Sequence, residues 1–332
     1  MNRDATGGAL LDAGETKEIV VRKPRRLARG DLIGVVAPAS PVPAEDLAKG
    51  VALIEERGYR VRLGEHVLAR AEECDYLAGP DAQRAADLNR MFADPEVAAI
   101  FCARGGYGSM RLFRLLDWDR IAESDKLFVG YSDVTSLHTA LASFGRATVH
   151  ATMVSSLWKL GAAALEQFWR LVETTDAPVE LPADPDAVQT VVPGVAEGEL
   201  SGGNLCLLTQ ACGSRFQPDF RGKIVLLEDV HDAIYHADRD LTQLLNAGVL
   251  QQAAGFVAGC LTGWQKHEAD PPLNTPAKLW QGFFSRLGRP AVADFPFGHE
   301  PDPIALPLGV RARLDASSRT LTLLESAVSD GD

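Results

Sequence analysis

From Asp31 onward the sequence alternates short apolar runs with amphipathic stretches, and that alternation restricts the chain to few folds. Asp31-Leu32-Ile33-Gly34-Val35-Val36-Ala37 is an apolar run closed by Pro38, the pattern of a strand buried on both faces. Ala44 to Arg57 follows as a helix, with Leu47, Val51 and Ile54 along one face and Gly58 as its stop. Further strands are predicted at Tyr59 to Leu63, Val97 to Cys102 and Lys126 to Tyr131. Helices are predicted over Asp81 to Phe92, Gly108 to Trp118 and Asp133 to Phe144. Alternation at this pitch predicts an α/β fold with a parallel sheet covered on both faces. In such sheets ligands sit beyond the carboxyl ends of the strands.

The 332 residues are enough for two domains of roughly 100–200 residues each. Residues 1–28 read as a flexible arm and 29–175 as an N-terminal α/β domain. Pro178, Pro182, Pro185 and Pro193 mark 176–195 as a linker. The C-terminal domain, 196–325, begins with a Gly-rich turn at Ser201-Gly202-Gly203-Asn204. It continues with a strand at Gly222 to Leu227, a helix near Arg239 to Ala247, a strand at Gly255 to Leu261 and strand-like alternation over Leu306 to Leu324.

The formal net charge of −12 disfavours nucleic acid as a partner, because phosphate backbones are repelled. The basic run Arg22-Lys23-Pro24-Arg25-Arg26 reads as a solvated lead-in to the first strand. Five cysteines, an odd number without a C-x-x-C pair, fit reduced thiols. No stretch approaches the ~20 apolar residues of a membrane helix, and Met1 to Glu15 lacks a signal-peptide core. The expectation is a cytoplasmic protein without a membrane partner.

Three strand ends carry candidate chemistry. In Phe128-Val129-Gly130-Tyr131-Ser132-Asp133-Val134-Thr135 a strand runs into a serine and a helix begins at once. That turn either lifts the hydroxyl above the sheet, as in a nucleophile elbow, or makes Ser132 a plain helix cap. Val134 stands where G-x-S-x-G would have its second glycine. In Cys102-Ala103-Arg104-Gly105-Gly106-Tyr107-Gly108-Ser109, clustered glycines let backbone N–H groups approach a ligand. Neither G-x-G-x-x-G nor a P-loop lysine is present, so an oxyanion or peptide-binding loop fits better than a nucleotide site, and a simple tight turn stays open. Gly105 and Tyr107 are candidate substrate contacts.

The third feature is a pair: Glu228-Asp229 at the end of Ile224 to Leu227, and His299 in the loop Phe295-Pro296-Phe297-Gly298-His299. A hydroxyl nucleophile needs a base, and the base an orienting acceptor; Ser132, His299 and Glu228 supply those residue types. Their spacing leaves open whether they meet. His150 ends a strand and is a candidate for the pocket wall, whereas His138 is expected to face away. His66, His231, His236 and His267 read as surface or turn residues. No H-E-x-x-H or comparable metal motif occurs, and neither a metal nor a cofactor is expected.

Taken in order, these segments resemble the LD-carboxypeptidase family, which also contains the microcin C self-immunity peptidases. The resemblance rests on Gly34 to Ser40, Arg104 to Gly108, Gly130 to Thr135, Ser201 to Leu205, Leu227 to Val230, Asp238-Arg239, Gly298-His299 and Leu306 to Gly309. It implies a Rossmann-like parallel-sheet N-terminal domain, a smaller swivelling α/β C-terminal domain and a homodimer. It also implies a Ser132–His299–Glu228 triad and an oxyanion hole from the N–H groups of Gly106 and Asp133; Asn204 joins the candidate substrate contacts. A second acidic position, Asp232, is the alternative orienting group, and Ala151-Thr152 replaces the family's Gly-Pro after His150. The implied substrate is a murein tetrapeptide that loses its terminal D-alanine. A peptidyl or aminoacyl nucleotide analogue is the alternative within the family. It needs an aromatic platform that Trp118, Trp158, Trp169, Trp264 and Trp280 do not identify; Trp158 and Trp169 are expected to pack in helices. A two-domain peptide-binding protein without chemistry is the alternative outside it.

Overall fold

The structure, a computed structural model, describes residues 20–230, 233–264 and 275–331. Its first half runs β1 (Leu32–Val36), α1 (Ala44–Glu56), β2 (Arg60–Leu63), α2 (Asp81–Ala93), β3 (Val97–Cys102), α3 (Trp118–Glu123), β4 (Leu127–Gly130), α4 (Thr135–Ala142), β5 (Thr148–His150) and α5 (Ala162–Glu173). The second half runs β6 (Val179–Glu180), β7 (Gln189–Val192), β8 (Val195–Asn204), α6 (Leu205–Ala211), β9 (Ile224–Val230), α7 (Ile234–Asn246), β10 (Gly255–Thr262) and α8 (Pro276–Leu287). It closes with β11 (Ala291–Ala293), β12 (Leu306–Leu308), β13 (Arg311–Asp315) and β14 (Thr320–Leu323).

The fold is α/β with two sheets. In the first, ordered β12-β5-β4-β3-β1-β2, the strands β1 to β5 are parallel and β12 is antiparallel at the edge. Its central strands are buried on both faces, which explains their unbroken apolar runs. Leu47, Ile54, Phe168 and Trp169 of α1 and α5 cover one face; Leu88, Phe92 and Leu137 of α2 and α4 cover the other. The second sheet is ordered β6-β14-β13-β8-β9-β10-β11-β7, with a parallel centre, β8 to β11. Helices α6, α7 and α8 pack on one of its faces through Leu208, Leu244 and Trp280.

Several elements differ from the sequence expectation. The helix expected over Gly108 to Trp118 is a 3-10 turn, Ser109–Leu112, that starts from Gly108 at φ +132 and is followed by α3, where the Asp117 side chain caps the helix at the Arg120 N–H. Ser201 to Asn204 is the end of β8 rather than a turn. Gly202 lies so close to β9 that an added Cβ would be 2.1 Å from the Leu226 carbonyl oxygen. The stretch expected as a linker supplies β6 and β7, at opposite edges of the second sheet. Residues 20–28 of the expected arm are pinned: Leu27 is buried and its N–H donates to the Val172 carbonyl, while Arg22 and Arg25 bridge Arg146 and Ser329. Among the described residues no helix is long and apolar enough to cross a membrane.

Candidate active site

Ser132 leaves β4 through Tyr131 and enters a 3-10 turn, Ser132–Val134, that leads directly into α4. The absence of any connecting loop forces Ser132 to φ +62, a left-handed conformation costing about 1–3 kcal/mol for a non-glycine residue. The missing second glycine has a steric explanation. Val134 points into the core, and its Cγ1 fills the space a Gly130 Cβ would need, 2.9 Å away. Glycine at 130 therefore makes the turn possible with valine at 134.

Opposite the serine lies the Gly-rich loop. A Cβ on Gly105 would stand 3.3 Å from the Ser132 Oγ. Gly106, at φ +104, rests on Ser40, whose Oγ would be 2.1 Å from an added Cβ. Ser40 fixes this loop from beneath: its N–H donates to the Gly105 carbonyl, and its Oγ accepts from the Tyr107 N–H while donating to the Tyr76 carbonyl. The N–H groups of Gly106 and Asp133 have no acceptor among the described residues. The Asp133 carboxylate accepts from the N–H and Oγ of Ser109, at 2.8 and 2.6 Å, locking loop and elbow together. Burial raises the Asp133 pKa against these donors.

The other two residues come from the second sheet. Glu228 sits at the end of β9, fully buried, and accepts a 2.6 Å hydrogen bond at Oε2 from His299 Nδ1. An ionised carboxylate only accepts, so Nδ1 carries the proton and Nε2 is left as an acceptor. The Ser132 Oγ lies 3.1 Å from that Nε2 and donates to it. Gly298, at φ +89, makes this approach possible: a Cβ there would be 2.5 Å from Glu228 Oε2. Burial works against the imidazolium, but the hydrogen bond to Glu228 and the charges of Glu228 and Asp229 outweigh it. The His299 pKa is accordingly raised above its ordinary 6.5. Tyr131 lies against the imidazole, with ring centroids 4.9 Å apart.

The remaining candidates sit nearby in other roles. His150 is buried behind Tyr131 and Phe297 instead of lining an open wall. Burial, followed by His138 and His299, pushes it down to about 3, and its Nε2 has no partner among the described residues. The Asn204 amide is already engaged, donating to Asp229 and capping α6 at the Leu207 N–H. Tyr107 is half-exposed beside Tyr76. His138 faces away from Ser132 and donates from Nε2 to the Gly130 carbonyl, bracing the elbow from behind. Trp169 packs in α5, whereas Trp158 lies partly exposed on the 3-10 segment Val154–Lys159. Asp232, His231 and His267 lie outside the described residues. Sequence reasoning gave no part to Ser40, Ser109 or Gly298, although each stands in a segment it singled out: Ser40 holds the Gly-rich loop, Ser109 the Asp133 carboxylate, and Gly298 leaves room for Glu228 beside His299. Among the described residues no group of three or more His, Cys, Asp or Glu could hold a metal ion.

Two family models match the chain: the LD-carboxypeptidase N-terminal domain over residues 33–151 and the LD-carboxypeptidase C-terminal domain over 197–314. The chain belongs to the LD-carboxypeptidase family. Membership extends over most of its length, because it is 37% identical over 316 residues to the "Probable murein peptide carboxypeptidase" of Bacillus subtilis (strain 168), covering 93% of this chain and 96% of that one. Among solved structures, the muramoyltetrapeptide carboxypeptidase from Oxalobacter formigenes is 30% identical with a TM-score of 0.76, covering 89% of this chain and 98% of that one. The microcin C7 self immunity protein MccF shares the LD-carboxypeptidase fold, with a TM-score of 0.83 at 22% identity, covering 93% of this chain and 100% of that one. As a family member the chain is a peptidase.

Proposed function

We propose that the chain is a serine-type LD-carboxypeptidase that removes the terminal D-alanine from murein tetrapeptide. The observation that carries this reading is the hydrogen-bonded row from Ser132 Oγ through His299 to Glu228, ending at a serine held in a left-handed turn. The names of the carboxypeptidase relatives support the substrate. The family resemblance adds cytoplasmic murein fragments as the source of that substrate, cell-wall recycling as the task and a homodimer as the working form.

In the reaction, Ser132 Oγ attacks the carbonyl of the amide joining an L-centre to the terminal D-residue, and His299 Nε2 takes the serine proton. Glu228 holds the tautomer and stabilises the imidazolium that forms. The negative charge that develops on the carbonyl oxygen is met by the N–H groups of Gly106 and Asp133, each lowering the barrier by about 3 kcal/mol. His299 then returns the proton to the leaving amine. Water, activated by the same imidazole, attacks the acyl-serine and frees the tripeptide, with the proton passing back to Ser132.

The test is mass spectrometry of pure protein incubated with murein tetrapeptide, alongside Ser132→Ala. Loss of one D-alanine with the unaltered chain only is the expected result. Equal cleavage by both would remove Ser132 from the chemistry and leave it a helix cap. Cleavage by neither, with hydrolysis of an aminoacyl sulfamoyl adenylate, would move the substrate to the nucleotide-analogue branch.

A further inference from the structure

A carboxypeptidase has to distinguish the end of a peptide from its middle. Only the leaving nitrogen and one α-carbon separate the scissile carbonyl from the terminal carboxylate, so the group that reads this carboxylate must stand beside the serine. Among the described residues, the second-sheet charges that act on His299 are the carboxylates Glu228 and Asp229 at the end of β9, and Glu300 is next in the chain. The whole chain carries a net −12. The Gly-rich side, by contrast, carries arginines.

Three arginines serve that side. Arg84 is buried, bonds the carbonyls of Pro38 and Gly108 and pairs with Asp81. Arg111 pairs with the same Asp81 at 2.9 Å. Arg104 differs from both. It immediately precedes Gly105, the residue packed against Ser132 Oγ; it is exposed, and it pairs with no carboxylate among the described residues. Its guanidinium is pinned at one point, Nη1 donating to the Pro41 carbonyl at 2.5 Å. Pro41 follows Ser40, the residue on which Gly106 rests. The guanidinium is thus fixed to the ledge that carries the oxyanion loop, with most of its five N–H groups uncommitted among the described residues. A planar fork of this kind matches a carboxylate in two parallel hydrogen bonds.

We propose that Arg104 is a specificity-determining residue that binds the terminal carboxylate of the substrate. The proposal rests on the LD-carboxypeptidase reading of the site. It explains how a serine-hydrolase row whose own second sheet is acidic accepts a substrate whose reacting end is an anion.

The experiment compares murein tetrapeptide with its C-terminal carboxamide, using the unaltered chain, Arg104→Met and Arg104→Lys. The unaltered chain is expected to prefer the free acid by about 100-fold in kcat/KM, the scale of a lost hydrogen-bonded charge partner. Arg104→Met is expected to bring that ratio close to unity, chiefly through KM, and Arg104→Lys to restore part of it. A second readout needs no turnover: calorimetric binding of both peptides to Ser132→Ala, with and without Arg104→Met. Loss of discrimination on adding Arg104→Met supports the proposal. A chain that releases D-alanine while Arg104→Met keeps the acid-over-amide ratio, in rate or in binding, overturns the assignment of Arg104 alone. No release of D-alanine from the free acid by the unaltered chain overturns the carboxypeptidase reading beneath it.

Discussion

His299 acts as a base only when its Nε2 is unprotonated, yet Glu228 and Asp229 favour the protonated ring strongly enough to raise its pKa above 6.5. On the proposed mechanism, kcat/KM therefore rises with pH through the His299 titration, with a midpoint above 6.5. In Glu228→Gln the charge is lost and burial, which opposes the imidazolium, is left as the dominant influence. The acid limb is then expected to move to lower pH, while kcat falls by about 10³-fold because the tautomer and the forming imidazolium lose their support. A pH profile of both proteins checks this. An acid limb that stays in place would show that another group, with Asp232 the first to examine, orients the imidazole. The three residue types were legible in the sequence because each stands at a strand end or in a Pro/Gly-shaped loop. Their meeting was not, since 167 positions separate Ser132 from His299 and only the tertiary fold closes that distance.

At the scale of elements, the elbow after β4 and the Gly-rich loop after β3 behave as one unit. Ser109 Oγ donates to the Asp133 carboxylate and lies 2.8 Å from the Ser136 Oγ, so a single hydroxyl joins loop, elbow and α4. In Ser109→Ala the buried Asp133 carboxylate loses one of its donors, at an expected cost of about 1–3 kcal/mol. Because the same contact sets the separation of the Gly106 and Asp133 N–H groups, kcat is expected to fall about tenfold or more with KM little changed. Denaturant melts and steady-state kinetics read the two effects separately. Unchanged kcat in a destabilised protein would make the tie purely structural. The sequence carried β3, β4 and the helix after Ser132 in its apolar periodicity, but not the helix expected over Gly108 to Trp118. Ser109–Leu112 closes as a 3-10 turn and a new helix starts at the Asp117 cap, and over a single turn hydrophobic spacing does not tell a 3-10 turn from an α-helix.

For the molecule as a whole, the row is built across two sheets: Ser132 rides on the first, Glu228 on the second, and the chain beyond His299 returns to the first as β12, pairing Leu306 with His150. Parallel strands with helices between them announced the first sheet in the sequence. The edge strands β6 and β7 were hidden by their prolines, because a strand two to four residues long at a sheet edge can have proline neighbours without losing ladder bonds. Residues 20–28 were hidden as well, since their contacts are to remote segments. Leu27 is buried against α5, the Arg26 N–H donates to the Ser329 carbonyl, the Ser329 N–H to the Pro24 carbonyl, and Lys23 pairs with Glu325. This segment ties the end of the second half to the body of the first. Burying Leu27 contributes about 1.5–3 kcal/mol, and the backbone bonds add to it. A chain lacking residues 1–28 is therefore expected to melt about 5–10 °C below one lacking only 1–19, at 2–4 °C for each kcal/mol lost. The comparison isolates residues 20–28, and its activity reading is equally informative. Should the row across the sheets depend on this strap, turnover will decline on warming before the main unfolding transition in the shorter chain only; coincident melting of the two truncations would mean that the strap holds nothing.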